Sequence, residues 1–178
     1  MKQLNFAFII GATLLLCAFT TYKSIDWQIA DGYSIAFKGT EVEGVFNKLS
    51  GSISFDEDEL VTSNFSVAVD VASINTGNGL KNKHAISDKW FNAPKFPNIT
   101  FNSTKFSKTE TGGYQVEGTL EIHGVKKQIS FPFTFSSNTF KGGFKVNRMD
   151  YNVGTMDGMS KKVSNEIEIE FSVPVKGK

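Results

Sequence analysis

The sequence predicts an all-β protein, a closed or nearly closed antiparallel barrel of about eight strands with a short helical insertion near residues 79–92. Apolar residues alternate with period two along most of the chain, which is typical of strands with one buried face. Short turns join the strands, so neighbouring strands are expected to be antiparallel. Phenylalanine accounts for 17 of the 178 residues, which indicates an aromatic interior or one lined for an apolar guest.

The first strands favour a barrel over a sandwich of two sheets. Alternation over residues 33–37 and 42–46 continues over 49–55, but its parity shifts across Asn47 and Lys48. A one-residue shift of this kind is typical of a β-bulge, which bends a strand. A long bent strand is a barrel feature rather than one of flat sheets.

One segment breaks the strand pattern. An alternating strand over 65–71 is followed by turn-forming residues at 75–79. The next positions lie on one stripe of a helix, with spacings of four, three and four: Leu80, His84, Ser87 and Phe91. Pro94 and Pro97 then end the helix. Because the insertion carries bulky apolar side chains, namely Leu80, Trp90, Phe91 and Phe96, we expect it to cover the mouth or side of the barrel.

Alternation returns in the second half of the chain. It covers residues 99–106, 114–122, 129–135, 140–146 and 167–173. Pro132 lies inside one of these segments, and proline belongs where a strand is not fully paired. Together with the first strands, these segments bring the count to about eight.

The first residues have the pattern of an export signal. Lys2 precedes an apolar run over residues 6–19, which suits a signal peptide and is short for a membrane span. We therefore interpret residues 1–22 as a signal peptide and expect a periplasmic or extracellular protein. Cys17 is the only cysteine. We do not expect it to carry a lipid anchor, because Leu16 stands where a lipoprotein cleavage site needs a small residue.

Three ordered blocks resemble the signature of the YceI-like family. The first spans 73–101, with SINTGN, then Leu80, His84, WFN and FPNITF. The second is GTLEIHGVKK at 118–127, and the third is RMDYNVG at 148–154, where two residues separate the tyrosine from the glycine. The resemblance covers Trp27 to Val175, so residues 25–176 are interpreted as a YceI-like β-barrel domain. It implies a lipocalin-like barrel whose long apolar cavity binds polyisoprenoids or other long-chain lipids.

The candidate ligand-binding residues are inward-facing or lie on the insertion. They are Phe37, Phe46, Val69, Val71, Leu80, His84, Trp90, Phe91, Phe96, Phe101, Phe131 and Phe133. Alternation alone cannot separate a cavity wall from packed core, so each of them can be either. His84 would contact a lipid head group or bond to the backbone, and His123 is interpreted as a structural histidine bonded to the backbone.

Other function classes have little support in the sequence. The net charge of +1 does not suggest a nucleic-acid partner. The two histidines lack a third ligand and a metal-binding spacing, so no metal is expected. A nucleophile elbow, a phosphate loop and a dinucleotide fingerprint are all missing.

The leading hypothesis is an exported carrier or store for a long apolar lipid such as a polyisoprenoid, an isoprenoid quinone or a fatty-acid derivative. It needs no catalytic residue and no cofactor besides the bound lipid, and it is compatible with peripheral membrane contact and with a homodimer. One alternative is an envelope hydrolase or isomerase, which would bring His84 and a carboxylate together at the cavity. Another is an interaction protein with a solid core.

Overall fold

A computed structural model of the protein describes residues 24–154 and 158–178, which form eleven strands and one α-helix. The strands are β1 (Asp26–Ile29), β2 (Ser34–Gly39), β3 (Val42–Phe46), β4 (Leu49–Ser54), β5 (Asn64–Asp70), β6 (Ile74–Asn75), β7 (Asn98–Lys108), β8 (Tyr114–Ile122), β9 (Val125–Ser136), β10 (Thr139–Asn147) and β11 (Glu166–Gly177). The helix α1 is Gly79–Ala85. The predicted signal peptide and Cys17 lie outside the described residues.

Eight of these strands close a ring. Its order is β1, β4, β5, β7, β8, β9, β10 and β11, and β1 closes it by pairing with both β4 and β11. Every pairing is antiparallel. The prediction of an antiparallel barrel of about eight strands is therefore confirmed.

Strand β11 changes its partner along its length, and this change shapes the two ends of the barrel. Its residues 168–172 pair with β2, whereas residues 175–177 pair with β1. Strands β2, β3 and β6 continue the wall from the first of these stretches. At one end of the barrel, β1 therefore completes the ring of strands. At the other end, β2, β3 and β6 extend the wall.

At Asn47 and Lys48 the sequence predicts a bulge inside one long strand, but the chain instead leaves β3 at Phe46 and begins β4 at Leu49, passing between these two regions. Before it, β3 pairs with β2 and β6, and after it, β4 pairs with β1 and β5. The amide of Asn47 donates to the carbonyl of Ser73 at 3.1 Å, and the amide of Lys48 donates to the Ser73 hydroxyl at 3.0 Å. The chain is therefore held at this point by the 3-10 turn Val71–Ser73 and by the last residue of β5, because the Asp70 amide donates to the carbonyl of Lys48 at 3.1 Å.

The ladder between β9 and β10 is short. It joins residues 133–136 to residues 139–142 and stops beside Pro132, which has no amide hydrogen to donate. On its other edge, Pro132 faces Gln115 of β8. The proline thus lies in a strand that is paired on one edge at that point, as its position in the sequence predicted.

The barrel interior is solid at the end that β1 closes. Phe55 is 1% exposed, and its ring lies 5.0–6.1 Å from six other aromatic rings. These rings belong to Phe65, Phe106, Tyr114, Phe133, Phe135 and Phe140. We call Phe55 and these six residues the aromatic base. Six of these seven residues are phenylalanines, so part of the phenylalanine excess fills this half of the barrel.

Tyr114 brings an ionisable group into the aromatic base. Its hydroxyl donates to the Glu57 carboxylate at 2.6 Å. Burial and this hydrogen bond raise the pKa of Tyr114 to about 12. The folded protein therefore holds this proton up to a higher pH than the unfolded chain, whose tyrosines titrate near about pH 10.

We expect the free energy of unfolding to fall as the pH rises from about 10 to about 12, since the unfolded state loses the Tyr114 proton first. A Tyr114→Phe variant lacks this proton, so its stability should fall less steeply over the same window. Urea unfolding of both proteins between about pH 8 and pH 12 measures the difference. A stability difference that stays constant up to about pH 12 would contradict this assignment.

Helix α1 begins at an asparagine cap and ends earlier than expected. The Asn78 side chain accepts hydrogen bonds from the amides of Leu80 and Lys81, both at 3.0 Å. The expected helix reached residue 92, but α1 ends at Ala85. The Ser87 hydroxyl donates to the carbonyl of His84 at 2.7 Å, and Asn92 adopts a left-handed conformation with φ of 48°. Consecutive turns over residues 86–96 therefore replace the second half of the predicted helix.

Candidate functional site

The open end of the barrel contains a cavity of about 630 Å³. Its entrance is bordered by three segments, namely the β2–β3 hairpin, α1 with the turns after it, and the 3-10 helix Gly158–Lys162. Cavities of this size are typical of small-molecule binding sites in proteins. We call this space the outer chamber.

A second cavity of about 160 Å³ lies deeper in the barrel. We call it the inner chamber, and among the described residues Thr100 is its only polar lining residue. Both chambers share the wall residues Phe46, Ile99, Ile122, Val146 and Ile169. The inner chamber also reaches Phe140, which belongs to the aromatic base. The two chambers therefore occupy the barrel from its open end down to its solid half.

Eight of the candidate residues line these chambers. Phe37, His84, Trp90 and Phe91 line the outer chamber, Val69, Phe101 and Phe131 line the inner one, and Phe46 lines both. Trp90 and Phe91 come from the turns after α1, so the insertion covers the mouth as its apolar composition indicated. That these side chains contact a ligand stays a prediction.

Val71 and Leu80 lie outside both chambers. Strand β5 ends at Asp70, whose carboxylate accepts a hydrogen bond from the Ala72 amide at 2.8 Å and starts a 3-10 turn. Val71 is therefore buried in this turn rather than on the barrel wall. Leu80 is 64% exposed, whereas Lys81, His84 and Ala85 are the residues of α1 that line the outer chamber.

Phe96 and Phe133 also lie outside both chambers. Phe96 packs against the ring of His123, with 4.6 Å between the ring centroids, at the tight turn between β8 and β9. Phe133 lies on the same face of β9 as Phe131, but two residues further along, where it belongs to the aromatic base. A period-two pattern predicts the face of a strand but not the depth inside the barrel.

His123 differs from its expected role. It forms the β8–β9 turn with Gly124, and both residues have positive φ, at 52° and 77°. Both ring nitrogens of His123 are buried, and neither has a hydrogen-bond partner among residues 24–154 and 158–178. The expected bond to the backbone is therefore wrong, and packing against Phe96 holds the ring instead.

Arg148 supports one side of the mouth. It is 4% exposed, and its guanidinium donates to the carbonyls of Val153 at 2.8 Å, Ser160 at 3.1 Å, Ser164 at 3.1 Å and Val163 at 3.2 Å. Burial lowers the pKa of Arg148, although arginine remains charged at all physiological pH values. The guanidinium also lies over the ring of Trp90, with 5.3 Å between the guanidinium carbon and the ring centroid. Arg148 therefore holds the segment after β10 in place beside the cavity.

Sequence reasoning missed several cavity residues. Ile99, Val146 and Ile169 lie on the inward-facing side of their strands. The alternation could therefore have identified them, but the choice of candidate residues favoured phenylalanine. Lys81, Lys89 and Lys162 also line the outer chamber. No periodicity in the sequence marks these lysines as cavity residues, because their position at the entrance depends on how α1 and the 3-10 helix lie across the barrel.

Among the described residues at the mouth, the histidine and the carboxylate are not joined by a hydrogen bond. His84 and Glu41 both line the outer chamber and are exposed, but no hydrogen bond between them is found in the described part of the chain. Within residues 24–154 and 158–178, no three His, Cys, Asp or Glu side chains are grouped to hold a metal ion. None of the helices in the same ranges is long and apolar enough to span a membrane.

Several known proteins are similar to this chain in sequence. A UPF0312 protein of Vibrio campbellii is 31% identical over 160 residues, which cover 84% of this chain and 81% of that protein. A UPF0312 protein of Yersinia enterocolitica is 32% identical over 140 residues, covering 73% of this chain and 71% of that protein.

Solved structures share the architecture. BcnA of Burkholderia cenocepacia is 27% identical, with a TM-score of 0.78, and the match covers 84% of this chain and 99% of BcnA. A polyisoprenoid binding domain from Saccharophagus degradans is 17% identical, with a TM-score of 0.62 over 88% of this chain and 100% of that domain. The family model of the YceI-like domain matches residues 25–175. The chain therefore belongs to the YceI-like family.

Proposed function

We propose that this protein is an exported lipid-binding barrel that holds a long-chain apolar lipid for transport or storage. A polyisoprenoid, an isoprenoid quinone and a fatty-acid derivative all have the required shape. The observation that carries the proposal is the pair of adjoining chambers, of about 630 and 160 Å³, with largely apolar walls. Peripheral contact with a membrane is part of the proposal, since such lipids reside there.

Apolar burial alone can supply the binding free energy. Each buried methylene contributes about 0.8 kcal/mol, so a five-carbon isoprene unit contributes about 4 kcal/mol. Association and ordering cost about 4–15 kcal/mol. About one to four buried isoprene units therefore offset this cost without a polar contact, which explains how the inner chamber can be almost entirely apolar.

The related structures agree with this proposal. The Saccharophagus degradans domain is described as polyisoprenoid binding. Because the likeness to that domain is one of fold, the argument for a lipid rests on the chambers of this chain. Export rests on the pattern of residues 1–22.

Binding is favoured over catalysis by the position of the polar groups. Catalysis by acid and base needs two groups within reach of the reacting atoms. Here the polar lining lies at the entrance, and the inner chamber offers only Thr100 among the described residues. A lipid that enters tail first would therefore meet no pair of acid and base groups among the described residues along its buried part.

Extraction of the purified protein tests the proposal directly. We expect an organic extract of protein purified without added ligand to contain a long-chain lipid that mass spectrometry detects. We also expect a plugging variant, Ala85→Phe, to weaken binding of geranylgeraniol at least tenfold, because Ala85 lines the outer chamber on α1. Fluorescence of Trp90 reports binding in a Trp27→Phe background, since the chain has 2 tryptophans and Trp27 lies against Phe135 in the aromatic base.

Leu80→Phe is the matched control. It adds the same ring to the same helix, but Leu80 is exposed and lies outside both chambers. We expect this variant to bind geranylgeraniol as the unmodified protein does. An extract without lipid, combined with no binding of geranylgeraniol, would overturn the proposed function.

A further inference from the structure

The open end of the barrel has a basic outer surface. Two of the segments that border its entrance, residues 79–97 and the 3-10 helix Gly158–Lys162, contain one carboxylate, that of Asp88, and six exposed lysines, namely Lys81, Lys83, Lys89, Lys95, Lys161 and Lys162. The third bordering segment, the β2–β3 hairpin, adds Glu41 at its tip. This end therefore concentrates positive charge, although the net charge of the whole chain is only +1.

These six lysines keep their charge available for a partner. Five other lysines form ion pairs with Asp or Glu at 2.8–3.7 Å, but within residues 24–154 and 158–178 no ion pair involves any of the six. Lys83, Lys95 and Lys161 also lie outside both chambers, so their exposed ammonium groups face the surroundings rather than the cavity. We call these three residues the outer lysines.

Leu80 adds an apolar side chain to this surface. It is 64% exposed, and it directly precedes Lys81 on α1. Ile25 and Val61 are the other large apolar residues that are exposed in the described part of the chain. An exposed apolar side chain beside lysines is typical of segments that lie at a membrane interface, where apolar burial and attraction to anionic lipids act together.

The connection between β4 and β5, at the opposite end of the barrel, carries the opposite charge. It contains four consecutive carboxylates over residues 56–59 and no lysine or arginine, and Glu57 accepts a hydrogen bond from Tyr114 of the aromatic base. Val61 is exposed here, but it follows carboxylates rather than lysines. An anionic surface therefore attracts the open end and repels this connection.

We propose that the open end docks on an anionic lipid bilayer, with Leu80 entering the interface and the outer lysines against the lipid head groups. This proposal rests on the proposed lipid-binding function and adds to it the partner surface and the face that meets it. In this orientation the entrance of the outer chamber faces the bilayer. A hydrocarbon chain can then pass between the bilayer and the cavity with little exposure to water, which is costly for every methylene group.

Cosedimentation with vesicles tests the docking. The purified protein is mixed at low salt with vesicles of phosphatidylcholine alone, or of equal parts of phosphatidylcholine and phosphatidylglycerol. We expect at least about tenfold stronger binding to the anionic vesicles, since each lysine near an anionic surface contributes a factor of about five. The preference should shrink as salt is added, because exposed charges are screened.

The outer lysines are tested by a triple variant, Lys83→Gln, Lys95→Gln and Lys161→Gln. We expect it to bind the anionic vesicles at least about tenfold more weakly than the unmodified protein. The matched control is Lys108→Gln, Lys141→Gln and Lys176→Gln. It removes the same charge from exposed lysines in the half of the barrel that holds the aromatic base, and it should bind these vesicles as the unmodified protein does.

Leu80→Ser and Val61→Ser form a second matched pair. Both substitutions remove an exposed apolar side chain, the first beside the lysines and the second beside the carboxylates. We expect Leu80→Ser to weaken binding to the anionic vesicles about fivefold, because the leucine loses its partial burial in the bilayer. Val61→Ser should leave this binding unchanged.

The outcomes separate the docking from the proposed function. All these variants should keep the affinity for geranylgeraniol, because Leu80 and the outer lysines lie outside both chambers. Equal binding to both kinds of vesicle, or equal losses in the tested and control variants, would overturn the docking face and leave lipid binding intact. No binding to either kind of vesicle would overturn the bilayer as the partner and favour an acidic protein surface instead. Every variant retains residues 6–19, so any binding of that apolar run to vesicles is common to all of them.

Discussion

Replacing Phe55 by alanine is expected to lower the free energy of unfolding by about 3–5 kcal/mol, the range measured when large buried aromatic residues are truncated. Phe55 is 1% exposed and contacts six aromatic rings. Those rings are held by five different strands and cannot collapse fully into the space left behind. Urea unfolding monitored by circular dichroism measures the loss.

Phe46→Ala is the informative comparison. Phe46 is also buried, but it lines both chambers. We expect Phe46→Ala to change the affinity for geranylgeraniol, whereas Phe55→Ala should leave that affinity within about twofold, because the aromatic base lies beyond most of the inner chamber. A stability loss below about 1 kcal/mol for Phe55→Ala, or an effect on binding as large as that of Phe46→Ala, would contradict a barrel that is solid at one end and hollow at the other.

Replacing Arg148 by methionine is expected to lower the free energy of unfolding by about 3–5 kcal/mol. The substitution removes the donors for four backbone carbonyls, and an unsatisfied buried polar group costs about 1–3 kcal/mol. The total should stay below the simple sum, because water in the adjoining outer chamber can reach some of these carbonyls. Urea unfolding again provides the measurement.

Arg148→Lys separates charge from geometry. Lysine keeps the positive charge, but its ammonium group cannot reproduce the planar fork of donors that spans the four carbonyls. We expect it to recover less than half of the lost stability, and it remains informative if the methionine variant does not fold. A methionine variant within about 1 kcal/mol of the unmodified protein would show that Arg148 does not hold the segment after β10.

Much of the barrel could be read from local patterns. The face of each strand follows from alternation, and the parity shift at Asn47 and Lys48 marked the place where the chain leaves one set of strand partners for another. These features depend on neighbours in the sequence, so the pattern of side chains is sufficient to predict them.

The depth of a residue inside the barrel could not be read in this way. Phe131 and Phe133 have the same chemistry and the same face of β9, yet one lines the inner chamber and the other fills the aromatic base. The difference arises from Phe55, which reaches the interior from the end of β4. No periodicity connects residues so distant along the chain.

By itself, then, the sequence predicted the all-β architecture, the antiparallel strands and the inserted helix, because these follow from spacing and local propensity, and its three ordered blocks resembled the YceI-like family. Only the tertiary structure decided where the barrel is hollow, that Leu80 faces solvent while Ala85 lines the cavity, and that three lysines meet at its entrance. The physical reason is that a cavity is the space left when side chains from many strands fail to meet. That space depends on the closure of the sheet and the placement of α1, and neither is encoded in any single segment.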